Sequence, residues 1–378
     1  MSRFQLLVGS EAFWAAAKAD LTAAKRRALI QAMTFEGDGA GLAVAAALQA
    51  SPAADRRVLV DDYTRHVLND TVLAFGRHPA LQAESDATWS MFNTLLASGV
   101  GVRVTNPIGG NPLLYPLRNH KKLLVIDDVT WLGGINFSDH NFAWHDLMLR
   151  IDDPAIADWL ATEFDKDWTG LPGSGAGWFG DDVDLRSFDG VSNSAGFQSL
   201  LNSFASARTS LDVVSAYPTF PFVDAMAVAA RNGADVTLYT PRPNNKPIIR
   251  DYLLGVASGS GLKVRLLPTM THVKAALIDG KELVLGSSNF DFVSYRSNSE
   301  YVVTVRDTAL IEDFAGRILR PAREGSTEPS IHDYSALRGL RARGALRVAD
   351  AVISRLRHGP RVMEWHDPAK ITQLLTRR

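Results

Sequence analysis

The 378-residue chain carries one short pattern twice, and this duplication limits its fold more than any other feature. Residues 119–127 read NHKKLLVID and residues 270–280 read MTHVKAALIDG, so His120, Lys122 and Asp127 recur as His272, Lys274 and Asp279. Alternate residues of an extended strand share a face, so each histidine projects with its lysine. The apolar run behind each pair seats a strand in a core. The strand's end then aims an imidazole and an ammonium group into a cleft.

The repeat extends beyond the two short stretches. His120 and His272 are 152 residues apart, Asn136 and Asn289 are 153, and Asp146 and Glu300 are 154. A period this long is outside the range of solenoid repeats and indicates two copies of a domain-sized unit. Strand and helix patterns alternate through both halves, which reads as α/β. Strands are expected at ALIQAMTF, RRVLVDD, GVRVT and DLMLRID, and again at SLDVVSAY, ADVTLYTP, LKVRLLP and EYVVTVRD. A hairpin follows each histidine. A long helix is expected from about Thr64 to Ala97, and Pro154 marks the first turn of another.

These patterns divide the chain into a first lobe at 1–169, a linker at 170–193, a second lobe at 194–320 and an extension at 321–378. The linker assignment rests on richness in Gly, Ser and Asp. The extension is arginine-rich with intermittent apolar residues, a pattern for amphipathic helices on a solvated surface, with anionic lipid headgroups as a second option. The fold expected is two mixed sheets, each flanked by helices, related by a pseudo-twofold axis and sharing one active site.

Composition narrows the function classes. No cysteine is present, which excludes disulfides and thiolate chemistry. A formal net charge of −1 argues against a surface built to trap polyanions. No apolar stretch approaches the roughly 20 residues that cross a bilayer. The expectation is a cytoplasmic protein, peripheral at most on the inner face of a membrane. Oligomeric state is left open.

Two histidine–lysine faces converging on one cleft suit attack on a phosphate ester. One imidazole attacks phosphorus, the other protonates the leaving oxygen, and the lysines hold the negative charge. Asn136, Ser287 and Asn289 follow the two hairpins and are candidates to donate hydrogen bonds to phosphate oxygens, with adjacent glycines allowing close approach. Asp127 and Asp279 complete each motif and count among the catalytic candidates, although turn chemistry alone accounts for an Asp there. Asp146 and Glu300 are expected to orient the histidines, Asp146 behind His120 and Glu300 behind His272. His145 alternates away from Asp146 and reads as structural. His140 reads as a solvated loop residue. The cluster AYPTFPF, residues 216–222, reads as packing beneath a loop, with an acyl-chain entrance as the alternative.

The doubled pattern H-x-K-x4-D, followed by G-G/S-x-N, resembles the phospholipase D superfamily across roughly residues 5–320. Within it, TFEGDGAG, LGGINFSDHNFAWHDLMLRI, FDKDW and SNFDFVSYRSNSEYVV resemble the cardiolipin synthase and phosphatidyltransferase branch. That resemblance implies a two-lobed fold, a phospholipid substrate, a phosphohistidine intermediate, and neither metal nor other cofactor. A phospholipase D hydrolase or a nuclease of the same superfamily is the alternative, with nucleic acid not expected as a partner. Two features depart from the pattern. The first hairpin has five residues between Asp127 and Gly133, against six between Asp279 and Gly286. Membrane-spanning helices, common in that branch, are absent from the sequence pattern.

Overall fold

The computed structural model describes residues 3–68, 71–72, 79–108, 114–330, 332–356 and 361–365. Strands of the first half are β1 (Phe4–Val8), β2 (Arg27–Ala32), β3 (Asp55–Asp61), the short pair β4 (Val67–Leu68) and β5 (Thr71–Val72), β6 (Gly101–Thr105), β7 (Leu123–Ile126), β8 (Val129–Gly133) and β9 (Leu147–Asp152). Helices α1 (Ser10–Ala23), α2 (Gly39–Ala50), α3 (Pro79–Ala97), α4 (Asp139–Phe142) and α5 (Pro154–Thr169) connect them. The second half repeats the plan. Its strands are β10 (Gly175–Phe179), β11 (Val183–Asp189), β12 (Ser210–Ser215), β13 (Asp235–Pro241), β14 (Lys263–Leu267), β15 (Lys274–Ile278), β16 (Glu282–Gly286) and β17 (Ser299–Val305). Its helices are α6 (Asn193–Ala205), α7 (Phe222–Arg231), α8 (Pro247–Ala257), α9 (Phe292–Arg296), α10 (Thr308–Phe314) and, past a π-helical turn, α11 (Arg320–Gly325). The chain then adds α12 (Ala336–Ile353) and β18 (Val362–Glu364).

Two eight-stranded mixed sheets result, ordered β1-β9-β8-β7-β2-β3-β6-β18 and β10-β11-β17-β16-β15-β12-β13-β14. The expected α/β class and its two lobes are both present. The strand β7 shows why its apolar run is unbroken. Leu123 and Val125 point into a core between the sheets, where Leu285, Tyr301 and Val303 of the second half meet them. Leu124 and Ile126 point the other way, under α1, α2 and α3. β15 alternates likewise, with Ala275 and Leu277 facing inward and Ala276 and Ile278 facing the outer helices. Both faces are covered, so both faces must be apolar.

Three expectations need correction. The segment 170–193 is not an irregular linker, because it forms β10 and β11, and β11 pairs antiparallel with β17. β11 is the second half's counterpart of β1, which pairs antiparallel with β9. Glycine richness hid the β10–β11 hairpin, whose inner strand β11 has its sheet partner over a hundred residues away. Of the helix expected from Thr64 to Ala97, Pro79–Ala97 is helical, whereas Asp62–Arg65 forms a 3-10 turn and Val67–Leu68 pairs as a short strand with Thr71–Val72. Finally, the C-terminal extension is not outside the core. α12 buries Ala342, Leu346 and Ile353 among residues of α7 and α8. β18 joins the first sheet beside β6, and the Trp365 ring packs at a tilt against Phe92, with centroids 4.4 Å apart.

This docking generates a prediction. Leu346 is 7% exposed in the core of the second lobe. Leu346→Ala is expected to lower stability by roughly 2–4 kcal/mol, as for other buried leucine truncations. A chain ending at Gly325 is expected to melt far below wild type in calorimetry. An unchanged melting temperature in the shortened chain would show that α12 and β18 are dispensable for the fold.

Candidate active site

The two histidines come together through the start of their strands, and backbone hydrogen bonds between the lobes place them. His120 N–H donates to the Ser299 carbonyl at 2.9 Å, and Ser299 N–H donates to the Arg118 carbonyl at 2.9 Å. The matching contact has His272 N–H donating to the His145 carbonyl at 2.8 Å. Asn119 thus pairs parallel with Ser299, and Thr271 with His145. The residue after each bridge completes a pair. His120 Nδ1 lies 3.1 Å from both carboxylate oxygens of Glu300, and His272 Nδ1 lies 2.7 Å from Oδ2 of Asp146.

The carboxylates are therefore exchanged relative to the sequence expectation. Glu300 serves His120 and Asp146 serves His272, each across the lobe boundary. Spacing along the chain suggested pairing within a half. The interlobe bridges override it, because they bring the entry of each histidine strand alongside the carboxylate strand of the other half.

Glu300 is fully buried and its oxygens are held by Ser287 Oγ and, at 2.7 Å, Ser294 Oγ. Ser287 was expected to bind phosphate, but its hydroxyl is committed to Glu300. Its counterpart in the first half is Gly134, where a Cβ would fall 2.4 Å from the Asp146 carboxylate. The glycine lets Asp146 pack against the backbone, a role other than the phosphate approach first expected. Leu147 N–H donates to Asp146 Oδ1 at 2.8 Å.

Lys122 and Lys274 are almost completely buried, and their Nζ atoms donate to the carbonyls of His120 and His272. They supply charge from behind the histidines. Lys121, one residue over, faces the opposite way. Its Nζ donates to Asp167 at 2.7 Å and Ser187 at 3.0 Å and lies 4.5 Å from the Tyr301 ring, which ties the strand to the second lobe. Ahead of His120, the buried Asp61 accepts from Arg118 at 2.7 Å and from the Asn119 N–H at 2.6 Å.

Asp127 and Asp279 take no part in this cluster. Both adopt left-handed backbone, φ 49° and 52°, at the hairpin turns. Asp127 accepts backbone N–H groups of Lys25, Arg26 and Arg27. Asp279 accepts those of Arg208, Thr209 and Ser210. Each lies seven residues along an extended strand from its histidine, roughly 20 Å away. The catalytic role expected of Asp127 and Asp279 gives way to a structural one, in which each anchors its hairpin to the start of the neighbouring strand. The one-residue difference in hairpin length is absorbed here, by a turn pairing Ile126 with Val129 in one copy and Ile278 with Glu282 in the other.

His120 and His272 open onto a cavity of about 80 Å³ that Asn136 and Asn289 also line. That is a few water volumes, a size for a phosphoryl group and well below the 300–1,000 Å³ of drug-sized pockets. Asn136 Oδ1 accepts from Thr34 N–H at 3.3 Å. Asn289 Oδ1 is buried without a hydrogen-bond partner among the described residues. Several lining residues carried no sequence signal of their own. Lys246 stands at the mouth with its Nζ 4.3 Å from the Tyr217 ring. Glu36 also lines the cavity and is buried, 3.8 Å from His140. His140 is consequently part of the cavity wall rather than a solvated loop residue, and Trp144 packs 5.0 Å from His272. Tyr217 brings one end of the 216–222 cluster to the cavity, while Phe220 and Phe222 are core residues. His145 has the structural position expected, bonding Thr271. Glu36, Asp38 and Glu84 place carboxylate oxygens within 4.8 Å of one another, and among the described residues only this set is arranged to share a cation.

Burial governs the electrostatics. It pushes the His120 imidazole down to about 4, against the opposing pull of Glu300 and with help from Lys122 and Lys274. Burial and the neighbouring lysines also take His272 well below its ordinary value. Lys122 is pushed down to about 7 and Lys274 to about 8, chiefly by burial. Burial raises Asp146 to about 6, opposed by Lys274. Glu300 is held below its ordinary value because His120, Lys122 and Ser287 outweigh its burial. Burial thus favours the neutral form of both rings in the empty site, and a carboxylate accepting Nδ1–H leaves each Nε2 lone pair directed away from the carboxylate.

The exchanged pairing predicts which ring responds to which carboxylate. In nitrogen-detected NMR, Glu300→Gln should shift the Nδ1–H resonance of His120 and leave that of His272 nearly in place. Asp146→Asn should do the reverse. The opposite pattern would return the carboxylates to their own halves.

Comparison with known proteins agrees with this architecture. A family model described as cardiolipin synthase, PLD-like domain, matches residues 18–168 and 200–320. Cardiolipin synthase A of Pectobacterium carotovorum subsp. carotovorum is 27% identical over 229 residues, covering 53% of this chain and 47% of that protein. The Salmonella arizonae cardiolipin synthase A is 28% identical over 239 residues, with the same coverage. The chain thus spans about half the length of the curated relatives it matches. Among solved structures, phosphatidylserine synthase of Haemophilus influenzae Rd KW20 superposes with a TM-score of 0.70 at 16% identity, over 93% of this chain and 94% of that one. Polyphosphate kinase of Porphyromonas gingivalis gives 0.57 at 12% identity, over 92% of this chain and 56% of that one. Those two likenesses are of fold. With both halves matched by one family model, the chain belongs to the cardiolipin synthase, PLD-like domain family.

Proposed function

We propose that the protein is a phosphatidyltransferase that moves a phosphatidyl group between alcohols through a phosphohistidine on His120. The observation that carries this reading is the pair of buried histidines, each backed by the other lobe's carboxylate and both facing one phosphoryl-sized cavity. His120 Nε2 attacks phosphorus, a P–N bond forms and the P–O bond to the first alcohol breaks. His272, whose imidazolium form the bound phosphodiester anion favours, gives its proton to the leaving oxygen. It then takes the proton of the incoming alcohol, which attacks phosphorus and releases His120. Glu300 favours the nucleophile role for His120, because a carboxylate held ionised by two serine hydroxyls and the imidazole stabilises the charge that develops on the ring. Lys122 and Lys274 place two positive charges in a low-dielectric region beside the anionic phosphodiester.

Similarity to proteins named cardiolipin synthase A supports a phospholipid as donor and a lipid alcohol as acceptor. The deciding experiment incubates the protein with phosphatidylglycerol vesicles and, separately, with bis-p-nitrophenyl phosphate and a DNA oligonucleotide, with products identified by mass spectrometry. A phospholipid carrying two phosphatidyl groups is expected. Phosphatidic acid alone would make the protein a hydrolase, and cleavage of DNA alone would overturn the lipid assignment. Among the described residues no helix is long and apolar enough to cross a membrane, so contact with lipid is proposed to be peripheral.

The exchanged carboxylates decide how each variant responds to the leaving group. Asp146 stands behind the acid, His272. Asp146→Asn is expected to lose roughly ten- to a hundredfold in rate on lipid, as other partners of functional histidines do. Most of that loss should disappear with p-nitrophenolate, which leaves without a proton. Glu300→Gln should lose activity on both substrates. Rescue of Glu300→Gln instead would interchange the two histidine roles.

The lysine shifts predict the pH profile. Lys122 and Lys274 lose their charge near pH 7 and 8 in the empty site, so kcat/KM should fall as pH rises through that range. A bound phosphodiester anion favours the ammonium forms, so the alkaline limb of kcat should lie at higher pH than that of kcat/KM. Coincident limbs, or a kcat/KM flat to pH 9, would remove the lysines from this role.

A further inference from the structure

Helix α12 has two apolar faces, and among the described residues only one of them is packed. Its inner face places Ala342, Leu346 and Ile353 in the second-lobe core. Directly opposite on the helix, at i, i+3, i+11 and i+15, stand Leu337, Leu340, Val348 and Val352, exposed by 55%, 68%, 65% and 46%. Ten large apolar side chains are exposed among the described residues, and four of them lie on this one stripe. Single exposed leucines are ordinary, but a row of them along a helix of 18 residues is not. The stripe is edged with cations. Arg338, Arg341, Arg343 and Arg347 are all exposed, and the helix's only acidic residue, Asp350, is taken by Arg296 at 2.7 Å. Arg338, Arg341 and Arg343 form no ion pair among the described residues.

We infer that the outer face of α12 is the surface by which the protein lies on an anionic lipid bilayer. Apolar side chains in the centre and guanidinium groups at the margins match a bilayer interface, where acyl chains lie beneath phosphate headgroups. A second protein copy matches less well, because two such faces would bring like charges together. Position in the fold agrees. Arg347 stands 3.7 Å over the Phe220 ring, in the segment that begins beside the cavity-lining Tyr217. Arg296, the partner of Asp350, ends α9, the short helix that follows the cavity-lining Asn289. The C-terminal half of α12 therefore flanks the elements that build the cavity wall. The inference rests on the lipid reading of the active site for its purpose, but not for its measurement.

The test uses the full chain and two double variants, Leu340→Glu with Val348→Glu, and Arg341→Glu with Arg343→Glu. Binding is measured by co-sedimentation with vesicles of phosphatidylglycerol and phosphatidylcholine, and with vesicles of phosphatidylcholine alone. Wild type should bind the anionic vesicles preferentially, and less so as salt is raised. Each variant should lose about tenfold or more in partitioning. Turnover of bis-p-nitrophenyl phosphate should be unchanged, since none of these residues lines the cavity, and unchanged melting will show intact folding. Wild-type vesicle binding in both variants overturns the inference. So does a wild-type dimer by light scattering that Leu340→Glu with Val348→Glu converts to a monomer without altering vesicle binding. Vesicle binding that depends on α12 in a protein inactive on phospholipid would keep this surface while rejecting the proposed reaction.

Discussion

Two backbone bridges between the lobes set the geometry on which everything else depends. Asn119 pairs with Ser299, and Thr271 with His145. Each bridge is only one parallel contact, yet it fixes where a histidine strand enters relative to the carboxylate strand of the other half. A backbone bond cannot slide by one residue without turning the side chains to the opposite face. The exchanged pairs His120–Glu300 and His272–Asp146 follow directly. Neither lobe by itself holds both members of either of these two pairs. The site exists only when the two halves are docked, and the shared core of β7, β9, β16 and β17 holds them together.

That arrangement has an electrostatic cost and use. Two lysines, two histidines and two carboxylates are buried within one layer. Removal from water disfavours each charge, which is why the lysines are depressed toward neutrality and Asp146 is raised. The same low polarity strengthens the attraction of any anion that enters the cavity. An anion entering the cavity favours the charged lysines, so the site is poised to respond to an anion rather than to hold a fixed set of charges. Asymmetry persists despite the duplication. Ser287 supports Glu300 with a hydroxyl, whereas Gly134 in the other half gives Asp146 only space.

The doubled motif made much of this legible beforehand. The period-two pattern of LLVI and KAALI gave buried strands, and matched spacing pointed to His120, Lys122, His272, Lys274, Asp146 and Glu300 as one constellation. Other elements carried weaker local signals. The strands β10 and β11 are glycine- and aspartate-rich; β11 is recruited to the sheet by β17, and β10 pairs with β11 at its edge. Leu346 and Ile353 sit in an arginine-rich stretch that reads as solvated until α7 and α8 are placed beneath it. Lys246 and Glu36 lie in loops and His140 in the four-residue helix α4, where no periodicity reports which way a side chain points.

The sequence by itself determined the duplicated α/β plan, the histidines and lysines of the site, and the family. Those are consequences of local pattern, since a strand's alternation and a hairpin's turn residues are decided within a few positions. Tertiary structure alone decided which carboxylate serves which histidine, that Asp127 and Asp279 anchor hairpins far from the chemistry, and that the C-terminal segment completes both lobes. Those are relations between residues tens to hundreds of positions apart. They are fixed by the closest packing of two twisted sheets and by the backbone groups left to pair where the sheets meet, quantities that no local spacing encodes.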